Sequence, residues 1–235
     1  MNRQNGNMYA FVTHTSNPIK GICPHECSYC YMKALFRHYH SDETLRLDKN
    51  ELKVNYGKNK FIFLGTSTDM FADAVPTEWI IQVYDKCLQH PENKYLFQSK
   101  NPSRFLKPQL INHPLMQLKD KIYFATTIES NRDYPISKAQ SMTARADAMA
   151  QLQAMGFSVM VTLEPIMEFE HAELVEMLKK IKPFQVNIGC NTNREIKLPE
   201  PTRDQIVALV QELRTFTKVE LKSNSSRILG DLTTI

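Results

Sequence analysis

Cys23, Cys27 and Cys30 stand at C-x3-C-x2-C spacing in the stretch Cys23-Pro24-His25-Glu26-Cys27-Ser28-Tyr29-Cys30. Thiolates are soft ligands that suit zinc or iron–sulfur clusters. The chain holds five cysteines, the others being Cys87 and Cys190, and an odd total does not read as a disulfide framework. Three chemistries fit the spacing. A structural zinc could take the three thiolates with His25, His38 or His40 as fourth ligand. An electron-transfer cluster needs a fourth cysteine, which Cys87 or Cys190 could supply. A four-iron cube held by only three cysteines keeps one iron open, and an open iron can chelate a small molecule through amino and carboxylate groups. The cysteines follow a candidate first strand. That place favours the open cube, because parallel α/β folds put their chemistry at strand C-termini.

The rest of the chain supplies the scaffold for such a site. Strands are expected at 8–14, 60–65, 94–99, 121–127, 157–163 and 184–189, each a compact apolar run. Helices are expected at 31–40, 76–89, 102–111, 137–155, 171–181 and 202–216. In the second of these Ile80, Val83, Tyr84 and Cys87 fall at helical spacing. Gly156 sits where a helix C-cap glycine belongs, and Thr202 with Gln205 is spaced as a capping box. Residues 219–222 read as a last short strand, 41–60 as an irregular polar insertion, and the stretch after Lys222 as a surface tail. Six strand-then-helix units imply a parallel sheet with crossover helices, either most of a barrel or an open sheet. The seven glycines form neither G-x-G-x-x-G nor G-K-S/T, which disfavours a Rossmann or P-loop enzyme.

Composition sets the outer bounds. The 235 residues suit a single domain, with a core over about 8–222 and a tail at 223–235. No apolar run approaches the ~18 residues of a membrane span. The N-terminus, with Asn2, Arg3, Gln4, Asn5 and Asn7, lacks the apolar core of a secretory signal, so a cytoplasmic location is expected. The net charge of +4 is scattered, which permits a nucleic-acid partner without arguing for one.

At the cysteines the chain resembles the radical S-adenosylmethionine superfamily, whose signature carries an aromatic residue, here Tyr29, before the last cysteine. The resemblance implies an α/β fold, a partial (β/α)6 barrel, agreeing with the six units above. It implies a [4Fe–4S] cluster on Cys23, Cys27 and Cys30, with Tyr29 packed near the adenine of S-adenosylmethionine. A narrower resemblance rests on Thr15-Ser16-Asn17-Pro18-Ile19-Lys20-Gly21, Thr66-Ser67-Thr68-Asp69-Met70-Phe71, Val75-Pro76-Thr77-Glu78-Trp79, Gln98-Ser99-Lys100-Asn101-Pro102 and Leu163-Glu164-Pro165. These look like a phage-associated branch of unknown function that is similar to spore photoproduct lyase, a DNA-repair radical enzyme. The usual Gly-Gly-Glu after the second strand is replaced by Gly65-Thr66-Ser67-Thr68-Asp69.

The remaining candidates follow strand ends. Thr66, Ser67, Thr68 and Asp69 offer oxygen acceptors to an amino group, or else cap a helix entry. Lys100, by the resemblance, pairs with the methionine carboxylate, or else is a solvated loop lysine. Glu129, Ser130 and Asn131 are placed to meet ribose hydroxyls, or to form a capped polar loop. Glu164 is a ribose or substrate contact or half of an ion pair. Asn187 and Cys190 end the sixth strand, and Cys190 is either a hydrogen-atom donor or a buried small hydrophobe. The expected chemistry is reductive cleavage of S-adenosylmethionine to a 5′-deoxyadenosyl radical that takes hydrogen from a substrate. DNA or a nucleotide is the first candidate substrate, a peptide or RNA the second, and a Cys3His zinc-binding interaction module the non-enzymatic alternative. The implied partners are an external electron donor of flavodoxin or ferredoxin type and a nucleic acid. No membrane is implied, and the expected state is a monomer or weak dimer.

Overall fold

The apolar runs of the sequence become neighbouring parallel strands. The computed structural model describes residues 1–4, 8–40, 42–193 and 195–235, so Asn5, Asn7 and Ser41 of the readings above lie outside it. Strands β1 (Asn2–Arg3) and β2 (His14–Ser16) open the chain, and β3 (Ile19–Lys20) leads to the cysteine loop and helix α1 (Tyr31–Tyr39). Next come β4 (Arg46–Leu47), α2 (Lys49–Lys53), β5 (Phe61–Leu64), α3 (Thr77–Leu88) and β6 (Lys94–Gln98). Then follow α4 (Pro108–Ile111), β7 (Ile122–Thr127), α5 (Met142–Ala154), β8 (Ser158–Leu163) and α6 (His171–Ile181). The series ends with β9 (Gln185–Ile188), α7 (Arg203–Leu213), β10 (Lys218–Leu221) and α8 (Ser226–Leu229).

Among the described residues the main sheet runs β1-β2-β5-β6-β7-β8-β9-β10. All its pairings from β2 to β10 are parallel, and only the β1–β2 pairing is antiparallel. This is a mixed α/β fold of the partial-barrel type. Alternation along each strand splits its side chains between two faces. Ile62, Leu64, Tyr95, Phe97, Phe124, Val159, Val161, Val186 and Ile188 join the main core with helix residues such as Val83, Met149, Leu178 and Leu209. Each such large side chain contributes ~1.5–3 kcal/mol when fully buried. The inner face keeps a smaller apolar cluster of Phe63, Leu96, Ala125 and Met160, closed by Tyr9 and Val12.

Five sequence readings change. Residues 8–13 form a turn rather than most of a strand, with Val12 N donating to Tyr9 O. They lay Tyr9 and Phe11 across the inner face, Phe11 packing on Phe61 at 4.8 Å between ring centroids. The alternation there reports burial under the sheet, not strand pairing. The 41–60 insertion is structured: β4 pairs antiparallel with β3, and Asp48 caps α2 by accepting from the backbone of Asn50 and Glu51. Two-residue strands have no period for a sequence to reveal. The expected 102–111 helix breaks into a 3-10 turn (Pro102–Leu106) and α4 at Pro108, which has no N–H to continue it. The 137–155 helix starts only at Met142, capped by Ser141, because 136–138 are used against the cysteine loop. The tail is no loose end: Ser225 and Leu229 are buried, and Ser225 Oγ donates to Ile188 O at 2.8 Å. No helix of the described residues is long and apolar enough to cross a membrane.

Candidate functional site

The cysteine loop needs a glycine to enter. Gly21 has φ +108°, and a Cβ there would collide with Thr44 O. From Gly21 the loop passes over the C-terminal ends of β5, β6 and β7, and it is held on both sides. Thr68 Oγ1 donates to Gly21 O at 2.6 Å. Across the loop, Ser28 N donates to Ile136 O, and Lys138 N to His25 O, both at 2.8 Å. Cys30 is the N-cap residue of α1.

Asp69 is the hub. Its Oδ2 accepts from His25 Nε2 at 2.8 Å, Ser99 Oγ at 2.9 Å and Lys100 N at 2.8 Å, while Oδ1 accepts from Phe71 N at 2.9 Å. One carboxylate thereby ties the middle of the C-x3-C segment to the ends of two strands. Nothing in spacing marks His25 for this role, since its partner is 44 residues away. Thr66 Oγ1 and Ser67 N both donate to Asn17 Oδ1. Much of the polar capacity read as amino-group acceptors is therefore spent on fixing the loop.

Beside the cysteines lies a buried ion cluster. Glu129 is fully buried; Lys100 Nζ reaches its Oε1 at 2.7 Å, and Arg145 Nη1 its Oε2 at 2.8 Å. Tyr29 donates its hydroxyl to Glu129 and also bonds Lys100, whose Nζ stands 4.4 Å from the Tyr29 ring centroid and 3.4 Å from Cys27 Sγ. Burial is the largest influence on the Glu129 carboxyl and pushes it upward. Lys100 and Arg145 together outweigh it and hold the group below its ordinary range. The sequence offered Glu129 to ribose hydroxyls or to a capped polar loop; in the structure its two oxygens meet two cations. Arg145 lies inside α5, where a helix arginine reads as surface.

A cavity of about 170 Å³ is lined by all three loop cysteines together with Tyr29, Asp69, Gln98, Lys100 and Thr127. Burial pushes the Cys23 thiol up to about 12, with Asp69 adding to it, and raises Cys30 as well. Those thiols are neutral by themselves, and a cationic metal centre is what would hold them as thiolates. The donor set fits an iron–sulfur cluster with three protein ligands. Cys87 is wholly buried in the main core, where burial drives its thiol far up, and Cys190 is buried near Ser225 O, its thiol pushed up by burial to about 11. Neither lines the cavity. Among the described residues no group of three His, Cys, Asp or Glu is drawn together as for a single metal ion.

Other expected site residues lie elsewhere. Ser130 is buried and bonds Glu168 O, and Asn131 bonds Glu173 and the Glu170 backbone, so both brace the loop before α6. Glu164 takes the ion-pair alternative, with Lys222 Nζ at 2.7 Å and Asn224 Nδ2 at 2.7 Å. Asn187 is buried on β9 and accepts from Gln185 Nε2 at 2.7 Å.

Among solved structures the chain is similar to a spore photoproduct lyase variant, with TM-score 0.64 and 11% identity over 93% of this chain and 78% of that one. A second spore photoproduct lyase variant, with bound AdoMet and dinucleoside spore photoproduct, gives TM-score 0.56 and 13% identity over 91% of this chain. The chain spans 64% of that protein's length. Streptococcus suis SuiB bound to S-adenosylmethionine gives TM-score 0.50 and 8% identity, over 88% of this chain and 46% of that one. At such identities the likeness is one of fold, the partial barrel of radical S-adenosylmethionine enzymes. No curated protein matches the chain. A family model described as a protein of unknown function, DUF5131, matches residues 7–175, and the chain is a member of that family.

Proposed function

We propose that this chain is a radical S-adenosylmethionine enzyme, with Cys23, Cys27 and Cys30 holding a [4Fe–4S] cluster. The observation that carries the reading is that, among the described residues, three thiols and no fourth line one cavity at the C-terminal ends of parallel strands. When bound, the cluster and S-adenosylmethionine supply a reductively generated 5′-deoxyadenosyl radical that takes hydrogen from a substrate. The electron comes from a small external donor of flavodoxin or ferredoxin type.

The chain's own residues bind and orient. Asp69 and His25 fix the height of the cysteine loop over the sheet. Glu129, clamped by Arg145, holds Lys100 beside Cys27, where its ammonium offsets thiolate charge and offers a point charge to a substrate carboxylate. Phe63 and Met32 line the same cavity and exclude water. A Cys3His zinc centre is less well supported. Among the described residues no three His, Cys, Asp or Glu are drawn together as for a single ion, and His38 and His40 sit on the exposed side of α1 and at its end.

Anaerobic reconstitution tests the reading. The expected protein is brown, carries ~4 iron per chain as a cysteine-ligated cube requires, and releases 5′-deoxyadenosine under reduction. Substituting any one of the three cysteines by alanine abolishes both. A colourless protein with one tightly held zinc overturns the reading.

A further inference from the structure

Among the described residues six large hydrophobic side chains are exposed, and four of them, Ile22, Tyr31, Leu35 and Tyr39, lie on the cysteine loop and the helix that follows it. Single exposed apolar residues are ordinary, whereas a cluster of them marks a contact surface. Tyr31, Leu35 and Tyr39 are spaced by four and share one side of α1. Tyr31 is 58% and Tyr39 69% exposed. None of the nine residues of α1 is buried, and none belongs to either core cluster. The outer side of this helix therefore packs on nothing within the chain.

The same helix carries Lys33 and Arg37 and no Asp or Glu. Lys33 Nζ donates to Glu26 O at 3.0 Å, and Arg37 makes no ion pair among the described residues. Of the acids at the border, Glu26 is taken by Lys138 at 2.6 Å and Asp42 by Arg46 at 2.9 Å. Glu43, whose carbonyl accepts from Ile22 N, is the remaining one. The face is thus apolar at its centre and positive at its edge, which complements a protein with an acidic rim.

Beneath the face lies the cysteine loop, and Cys30 is the N-cap residue of α1 itself. The three thiols that line the inner cavity also line a small outer pocket with Ile22, Met32, Lys33 and Phe36. At about 20 Å³ that pocket has room for little more than one water, so it is no ligand site. What it offers a partner is nearness. A protein seated on Ile22 and α1 stands one layer of side chains from the sulfurs without entering the cavity of Asp69 and Lys100.

We propose that Ile22, Tyr31, Leu35, Arg37 and Tyr39 form the docking face for a small acidic electron-transfer protein, whose electron crosses the cysteine loop beneath. One electron passes from the reduced flavin or iron–sulfur centre of that protein to the oxidised cluster, with no bond made or broken. Redox encounters bury little area, and one short helix with its loop supplies such a footprint. The inference rests on the radical-enzyme reading for the cluster and adds where the donor sits.

The test compares the anaerobically reconstituted chain with its Arg37→Glu and Tyr39→Asp variants. Cluster reduction is followed by visible absorbance with three reductants: a flavodoxin and a plant-type ferredoxin, both of net negative charge, and dithionite, which needs no docking face. At least one donor protein is expected to reduce the parent, and each variant roughly tenfold more slowly at low salt, as for a lost steering charge or contact. Dithionite is expected to reduce all three chains alike. Added salt is expected to slow the parent more than Arg37→Glu, because screening removes the same attraction. A second readout needs no electron transfer: NMR signals of isotope-labelled flavodoxin or ferredoxin broaden with the parent and not with the variants. Both substitutions are at exposed positions, and if one variant fails to fold the other reports by itself. Four results overturn the proposal: both donors treat the variants like the parent, dithionite is slowed as much as the donors, duplex DNA displaces the bound donor, or Tyr39→Asp turns a dimer of this chain into monomers. Variant-sensitive donor binding by a chain that reconstitutes but releases no 5′-deoxyadenosine sinks the radical reading and leaves the docking face standing. Release of 5′-deoxyadenosine with dithionite, with both donors indifferent to the variants, does the reverse.

Discussion

The β5–β7 end of the inner face and the β8–β10 end treat their polar groups in opposite ways. At the first, Asp69 accepts four hydrogen bonds and Glu129 satisfies two cations, so the polar side chains are used up in holding a loop. At the second, Asn187 Nδ2 and Asn224 Oδ1 are left without a hydrogen-bond partner among the described residues. A saturated network is rigid and costly to break, whereas an unsaturated one is cheap to alter and available to something else. The first region is built to position a loop, and the second leaves part of its polar capacity unused.

The largest test of that contrast is Glu129→Gln. It strips the anion from buried Lys100 and Arg145 and is expected to cost ~3–5 kcal/mol in denaturant unfolding. Glu164→Gln, at the less enclosed Lys222 pair, is expected to cost about 1 kcal/mol. Equal losses would erase the distinction between the two regions. Acid sharpens it. Because Glu129 is held below its ordinary value, its stabilisation is present above the unfolded carboxyl's pKa of 4.5 and is lost as pH falls through the lower folded value. The Glu129→Gln chain lacks that component of acid unfolding.

Next in size is Asp69→Asn, expected to cost ~1–3 kcal/mol through donors left unpaired. In metal-free protein it also raises the rate at which Cys23 and Cys27 react with a thiol reagent, because the loop is untied. An unchanged labelling rate would show that Asp69 does not govern the loop. Gly189→Ala comes third. Its Cβ would meet Glu164 Oε1 at 2.6 Å and Asn224 Oδ1 at 2.9 Å, so ~1–3 kcal/mol is expected, as for an overpacked site, along with loss of the Glu164–Asn224 hydrogen bond in an amide NMR spectrum. The smallest effect is that of Asn187→Leu. It frees Gln185 but removes an unpaired donor, so it is expected to change stability by less than ~1 kcal/mol. A loss as large as that at Glu129 would mean that Asn187 is structural.

Legibility followed the range of the interaction. His171–Ile181 shows a helical apolar period, and the structure has a helix at those bounds. The Thr202–Gln205 capping box is local and forms as spaced. The cysteines were legible because three thiols on one short loop need no tertiary fold to find each other. Arg145 and His25 were not, because their partners Glu129 and Asp69 lie 16 and 44 residues away and join them only once helix, loop and sheet are packed. For Glu164 the sequence left two alternatives, and the ion pair became visible only with the return of Lys222 and Asn224 over β9.

By itself the sequence determined most of the strand-then-helix units, the parallel α/β class, and a soft three-sulfur donor set, since periodicity, caps and thiol chemistry are properties of neighbours along the chain. Tertiary structure decided which polar groups are spent and which are left over. That difference depends on buried partners far apart in the chain, whose pairing has to meet the cost of removing each from water.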